Sequence, residues 1–105
     1  MNGGTMRNRA QGEVALYLYR QGRAEEAALM VKAIESVWIR SATRARWAME
    51  LVKKRSNKLA KTLAEESVKE VQEIKDPAVR DAAIQELVEI FLSQYRTQEA
   101  LTLAR

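Results

Sequence analysis

The chain has 105 residues, of which 30% are charged, with a net charge of +4 and neither cysteine nor histidine. That length makes one domain with a core of ordinary size, and the missing residue types exclude disulfides, thiolate metal sites, the usual general base and the commonest nitrogen ligand. One proline, four glycines and an abundance of Ala, Leu, Glu, Lys and Arg exclude a sheet and specify helices.

No apolar run approaches the roughly 18 to 20 residues of a membrane span, and the opening MNGGTMRNRAQGE has no signal-peptide core. The expectation is a cytoplasmic, reducing setting, with residues 1–7 a flexible tail and 8–105 a single helical domain.

Ala10, Val14, Tyr17 and Leu18 make a short amphipathic stripe that ends at Gly22, which suits a left-handed position just past a helix. This predicts a first helix over about 8–21. Ala24, Ala27, Ala28, Val31 and Ile34 line a second, with Glu25 and Glu26 at the positive end of its dipole. The third helix, Trp38 to Arg55, has two faces. Trp38, Ala42, Ala45, Met49 and Val52 form one apolar stripe, while Trp47 and Leu51 lie on another side with Arg40, Arg44 and Lys54. Such a helix is either packed on both sides or offers an aromatic and basic strip to a partner.

Ser56-Asn57 breaks the chain, and Leu59, Leu63, Ser67, Val71 and Ile74 then line a fourth helix, with Ala60, Ala64 and Val68 beside them. Asp76-Pro77 is the clearest punctuation, Asp as cap and Pro as first helical residue. Val79, Ala83, Leu87, Ile90 and Phe91 follow, widened by Ile84, Val88 and Tyr95 to about half the circumference, which implies more than one neighbour. Thr97 is read as the cap of a sixth, last helix.

Charge is unevenly spread. Residues 40–61 carry eight basic side chains against Glu50 alone, a net of +7, and residues 62–105 carry five basic against nine acidic, a net of −4. This polarity suggests acidic partners, nucleic acid or contact between copies.

Six helices on short turns call for a search for repeats. GRAEEAALMV at 22–31 and YRTQEALTLA at 95–104 superpose without gaps, matching Arg23 with Arg96, Glu26 with Glu99 and Ala27 with Ala100. NKLAKTLAEE at 57–66 falls between them and divides the chain into hairpins of about 8–36, 38–74 and 77–105.

With these units the chain resembles the tetratricopeptide repeat family. Val14, Ala15, Leu18, Gly22, Ala27, Val31 and Ile34 stand where its motif places large, small, large, Gly, Ala, large and small residues, and Leu87, Phe91, Ala100 and Ala104 fit in the third unit. Tyr95 replaces the third turn glycine and Val88 a small residue. The middle unit has no glycine and puts Lys53 or Lys61 where apolar or small residues belong. The resemblance implies an all-α fold of three antiparallel hairpins stacked as a short superhelix, whose first helices line a groove for peptides or proteins. It also implies that Arg40, Arg44, Trp47, Leu51 and Lys54 are the contact residues, an aromatic anchor ringed by cations.

The expected function is therefore that of a protein-interaction or scaffold module taking a protein or peptide partner of acidic character. It is expected to need no cofactor and no metal. The alternative is nucleic-acid binding through stretch 38–61, where cations and two tryptophans combine phosphate neutralisation with base stacking. An enzyme is not expected, because no Ser-x-x-Lys appears and the glycines at 3, 4, 12 and 22 form no phosphate loop. The three-apart pairs Glu70/Glu73 and Glu86/Glu89 read as solvated. Leu101 and Leu103 on the last helix are expected to be covered either by a second copy, which would make the protein a homo-oligomer, or by further chain. On this reading Trp47→Ala weakens partner binding and costs little stability.

Overall fold

Four turns set the plan of the molecule. The computed structural model describes residues 2–104, with side chains described over 5–93. It contains helices α1 (Asn2–Arg20), α2 (Ala24–Ala33), α3 (Val37–Lys53), α4 (Asn57–Gln72) and α5 (Pro77–Ala104), and no strand among the described residues.

The first and third turns are built alike. At the end of α1 the amide of Gly22 donates to Tyr19 O at 3.0 Å and that of Arg23 to Leu18 O at 2.9 Å, while Gly22 takes a φ of +82°. At the end of α3 the amide of Arg55 donates to Val52 O at 3.0 Å and that of Ser56 to Leu51 O at 2.9 Å, with Arg55 at a φ of 63°. Both are Schellman caps, which satisfy orphan carbonyls through one left-handed residue. The middle hairpin thus has the turn its missing glycine argued against. Arg55 holds it at some steric cost, since a Cβ disfavours that region.

The second and fourth turns also repeat. The Ile34 amide donates to Val31 O and the Ile74 amide to Val71 O, both at 3.1 Å. Ser36 Oγ then accepts from the Ile39 amide at 3.2 Å, and Asp76 Oδ1 accepts from the amides of Ala78 at 2.9 Å and Val79 at 3.3 Å. Arg40 Nη1 reaches back to Ile34 O at 2.7 Å, and Arg80 Nη1 to Ile74 O at 3.1 Å. Each arginine caps the helix before its own.

Helix α3 touches all four other helices, and α1 and α2, α3 and α4 form the two hairpins. Four neighbours leave room only for small side chains, and Ser41, Ala45 and Ala48 are fully buried. One cluster gathers Ala15, Leu16, Ala27, Val31, Trp47, Ala48, Leu51, Ala60 and Leu63. A second joins Ala45, Val71, Ala83 and Leu87, with Trp38, Ile74, Ile90 and Phe91 packed against it. The buried hydroxyls of Ser41, Thr43 and Ser67 donate to Trp38 O, Ile39 O and Ala64 O at 2.7–2.8 Å, so none is left unsatisfied. At Gly12 the helices α1 and α3 approach so closely that a Cβ there would stand 2.5 Å from Thr43 Oγ1.

Three expectations are corrected. The chain folds into five helices and not six: α5 runs unbroken through Thr97 to Ala104, because no glycine or proline near Tyr95 ends the ladder of backbone bonds. The apolar stripe of α1 is not its core face. Val14 and Tyr17 are 44% and 58% exposed, while Ala15 and Leu16 carry the packing. Trp47 and Leu51 are buried, 6% and 4% exposed, so the central helix is packed on both sides and has no aromatic strip at the surface. Leu101 and Leu103 lie outside the described side chains. No helix among the described residues is long and apolar enough to cross a membrane.

Trp47→Ala should cost about 3–5 kcal/mol, as aromatic truncation in a core does. Chemical denaturation measures it, and a loss under about 1 kcal/mol would put the ring outside the core. Gly12→Ala should destabilise by about 1–3 kcal/mol through overpacking. Thr43→Ala should relieve part of that loss, and the double-mutant cycle reads the coupling.

Candidate functional site

The first helix of each hairpin and the start of α5 surround one open groove. Its volume is ≈ 780 Å³, and it is lined by Arg9, Glu13, Leu16 and Arg20 of α1, by Arg46, Met49, Glu50 and Lys53 of α3, and by Ala82, Gln85, Glu86, Glu89, Ile90 and Ser93 of α5. The spacing 46, 49, 50, 53 is one face of a helix, so α3 supplies the floor while α1 and α5 are the walls.

Ion pairs lace the walls to the floor. Arg20 forks onto Glu50, Nε to Oε1 at 2.9 Å and Nη2 to Oε2 at 2.7 Å, and that hydrogen bond raises the guanidinium above its ordinary pKa. Arg46 Nη1 donates to Glu13 Oε1 at 3.2 Å and stands 3.8 Å, through Nη2, from Glu86 Oε2. Glu86 Oε1 accepts from the Trp38 indole at 2.9 Å and from Arg9 at 3.5 Å. Its other oxygen is buried with no hydrogen bond, and a buried acceptor left unmade costs about 1–3 kcal/mol. Lys53 and Glu89 make no ion pair among the described residues. The groove therefore sets fixed cations beside fixed carboxylates, with the second Glu86 oxygen buried against Arg46.

The residues expected to contact a partner lie elsewhere. Arg40 and Arg44 turn to α4 and close on Glu70: Arg40 Nε donates to Oε2 at 2.7 Å and Arg44 Nη1 donates to Oε1. Glu70 is thus no solvated acid but the counter-charge that lets two arginines sit between α3 and α4. Trp47 stacks, tilted, against Tyr19 with ring centroids 5.4 Å apart, and its buried indole N–H has no acceptor among the described residues. Of the five, only Lys54 is exposed, with its ammonium 5.0 Å from the Tyr19 ring centroid.

Of the eight cations in 40–61, ion pairs take Arg40, Arg44 and Arg46. Lys53, Lys54, Arg55, Lys58 and Lys61 stand exposed around the α3–α4 turn. Sequence reasoning missed the groove because it placed the polar face of α3 one third of a turn away. The signal was present: Arg46, Met49, Glu50 and Lys53 are an i, i+3, i+4, i+7 set on the same helix.

No protein-family model, no curated protein and no solved structure matches this chain.

Removing Glu70 leaves two guanidiniums facing each other without a counter-charge. Glu70→Ala should cost about 2–3 kcal/mol, less than a fully buried pair because these side chains keep 15–23% exposure. An unfolding curve that superposes on wild type would show the clamp to be idle.

Proposed function

We propose that this chain is a protein-interaction module of tetratricopeptide-like plan, without catalytic activity of its own, that takes a peptide segment in the α1/α3/α5 groove. The observation that carries the reading is the groove itself: successive first helices share it, as the resemblance implies, and its exposed Lys53 and Glu89 make no ion pair among the described residues. The contact residues on this reading are Arg9, Arg46, Lys53, Gln85 and Glu89, in place of the strip around Trp47. Peptide amides meet Gln85 and Glu89, and an acidic stretch meets Lys53, next to which Lys54 and Arg55 continue in the chain.

The two similar turns support the same plan, since Gly22 and Arg55 close their hairpins with equal hydrogen bonds. The nucleic-acid reading keeps five exposed cations but loses its stacking platform, because Trp47 is buried and Trp38 is half-buried with its indole on Glu86. What remains for it is phosphate contact alone, which reads no sequence.

A peptide selected by display against the folded protein should shift the amide resonances of Lys53, Gln85 and Glu89. Lys53→Glu should weaken its binding about tenfold, or about 1.4 kcal/mol, and leave the melting temperature unchanged. Shifts confined to other surfaces, or undiminished affinity in the variant, would remove the groove from the proposal.

A further inference from the structure

The chain carries a second repeat, of 40 residues, that its turns make visible. Val31, Ile34, Ser36 and Arg40 recur as Val71, Ile74, Asp76 and Arg80, with the same capping and back-bonding roles. In this register α2 falls on the second half of α4, and buried Ala27 and Val31 fall on buried Ser67 and Val71. Helix α3 falls on α5, with buried Trp47 on buried Leu87.

The register carries a groove with it. Ala24, Ala28 and Lys32 of α2 line a groove of ≈ 360 Å³ whose far wall is the first half of α4, through Leu59 and Leu63. Forty residues on, Ala64, Val68 and Gln72 of α4 line a groove of ≈ 450 Å³ with Met49 of α3 and Phe91 of α5. Beside it α5 exposes Ile84, Val88 and Leu92 by 38%, 47% and 42%, three residues within about 80° of arc. Val88 is the equivalent of Ala48, which is fully buried on α3 in the cluster shared with α1, α2 and α4. The seat is that of one more amphipathic helix.

The chain also has a helix face that lacks a seat. Met6, Ala10, Val14 and Tyr17 of α1 share another arc of about 80°, opposite its core face, and all four are exposed. Arg9, Glu13 and Arg20 of α1 and Glu86 of α5 are paired in the peptide groove, so the charges left beside these stripes are the cation Arg7 on α1 and the acid Asp81 on α5. Pairing α1 with α1, or α5 with α5, sets like charges together; pairing α1 with α5 sets opposite charges together. Arg7 beside the α1 stripe and Asp81 beside the α5 stripe make no ion pair among the described residues.

We infer that copies of this chain assemble head to tail, the outer stripe of α1 in one copy seated on the α4/α5 face of the next. The contact is heterologous, so one pairing leaves a free α1 on one copy and a free α4/α5 seat on the other. It is independent of the peptide groove, which lies on other faces of the same helices.

Sedimentation velocity over a wide concentration range tests it, with one end blocked at a time. Val14→Glu disables the α1 stripe and Val88→Glu the seat; Tyr17→Glu and Ile84→Glu repeat the test, and circular dichroism confirms helix content. Wild type should grow past the dimer as concentration rises. Each variant alone should stay monomeric, while an equimolar mixture of one variant of each kind should give a dimer and nothing larger. Wild type that is monomeric throughout overturns the inference. So does association of either variant alone, which means like faces pair, or a mixture that remains monomeric.

Discussion

The approach of four helices to α3 is the constraint on which the structure depends. A helix touched by four others keeps only a narrow polar face, here Arg46, Glu50 and Lys53, and its side chains must be small where backbones come near. Ser41, Ala45 and Ala48 meet that demand, and Gly12 meets it from the side of α1. The large residues then fill what remains: Trp47 and Leu51 occupy the space between α1, α2 and α4, and Trp38 closes on α5. Charges that cannot leave such a helix must be matched, which explains why Arg40 and Arg44 meet on Glu70 and why Arg46 lies between Glu13 and Glu86. Packing and electrostatics here are two aspects of one crowding problem.

That crowding also explains which parts of the fold were legible in the sequence. Punctuation was: Gly22 and Asp76-Pro77 stand at turns because their conformations are local, and the structure places both as expected. Periodicity fell short in two ways. On α3 it showed two apolar stripes but left open whether the second meets a neighbour or a partner, since phase alone does not count neighbours; both are inside. On α1 it took the strongest apolar stripe for the core, although the core is held by Ala15 and Leu16 one face away. The helix expected from Thr97 rested on a capping residue without a breaker before it, and α5 continues.

The candidate site was less legible than the fold for a related reason. Its residues are charged and scattered over three helices, so each resembles an ordinary wet side chain until the partner helix is in place. The 40-residue register was hidden because it rests on only four positions of the turn, one of them a pair of interchangeable caps and one an arginine whose task is to reach a backbone carbonyl six residues earlier. Self-comparison for apolar matches does not weigh such residues. Arg55 was missed because its type gives no hint of a left-handed turn.

The α3–α4 turn has a consequence for handling the protein. Lys53, Lys54 and Arg55 are three successive sites for a protease that cuts after basic residues, all exposed, the first ending α3 and the other two in the tight turn after it. Such enzymes need several residues in extended form, whereas the caps tie Arg55 and Ser56 back to Val52 and Leu51. Cleavage there requires the hairpin to open first, so a limited digest reports the local opening of the two helices that hold the core.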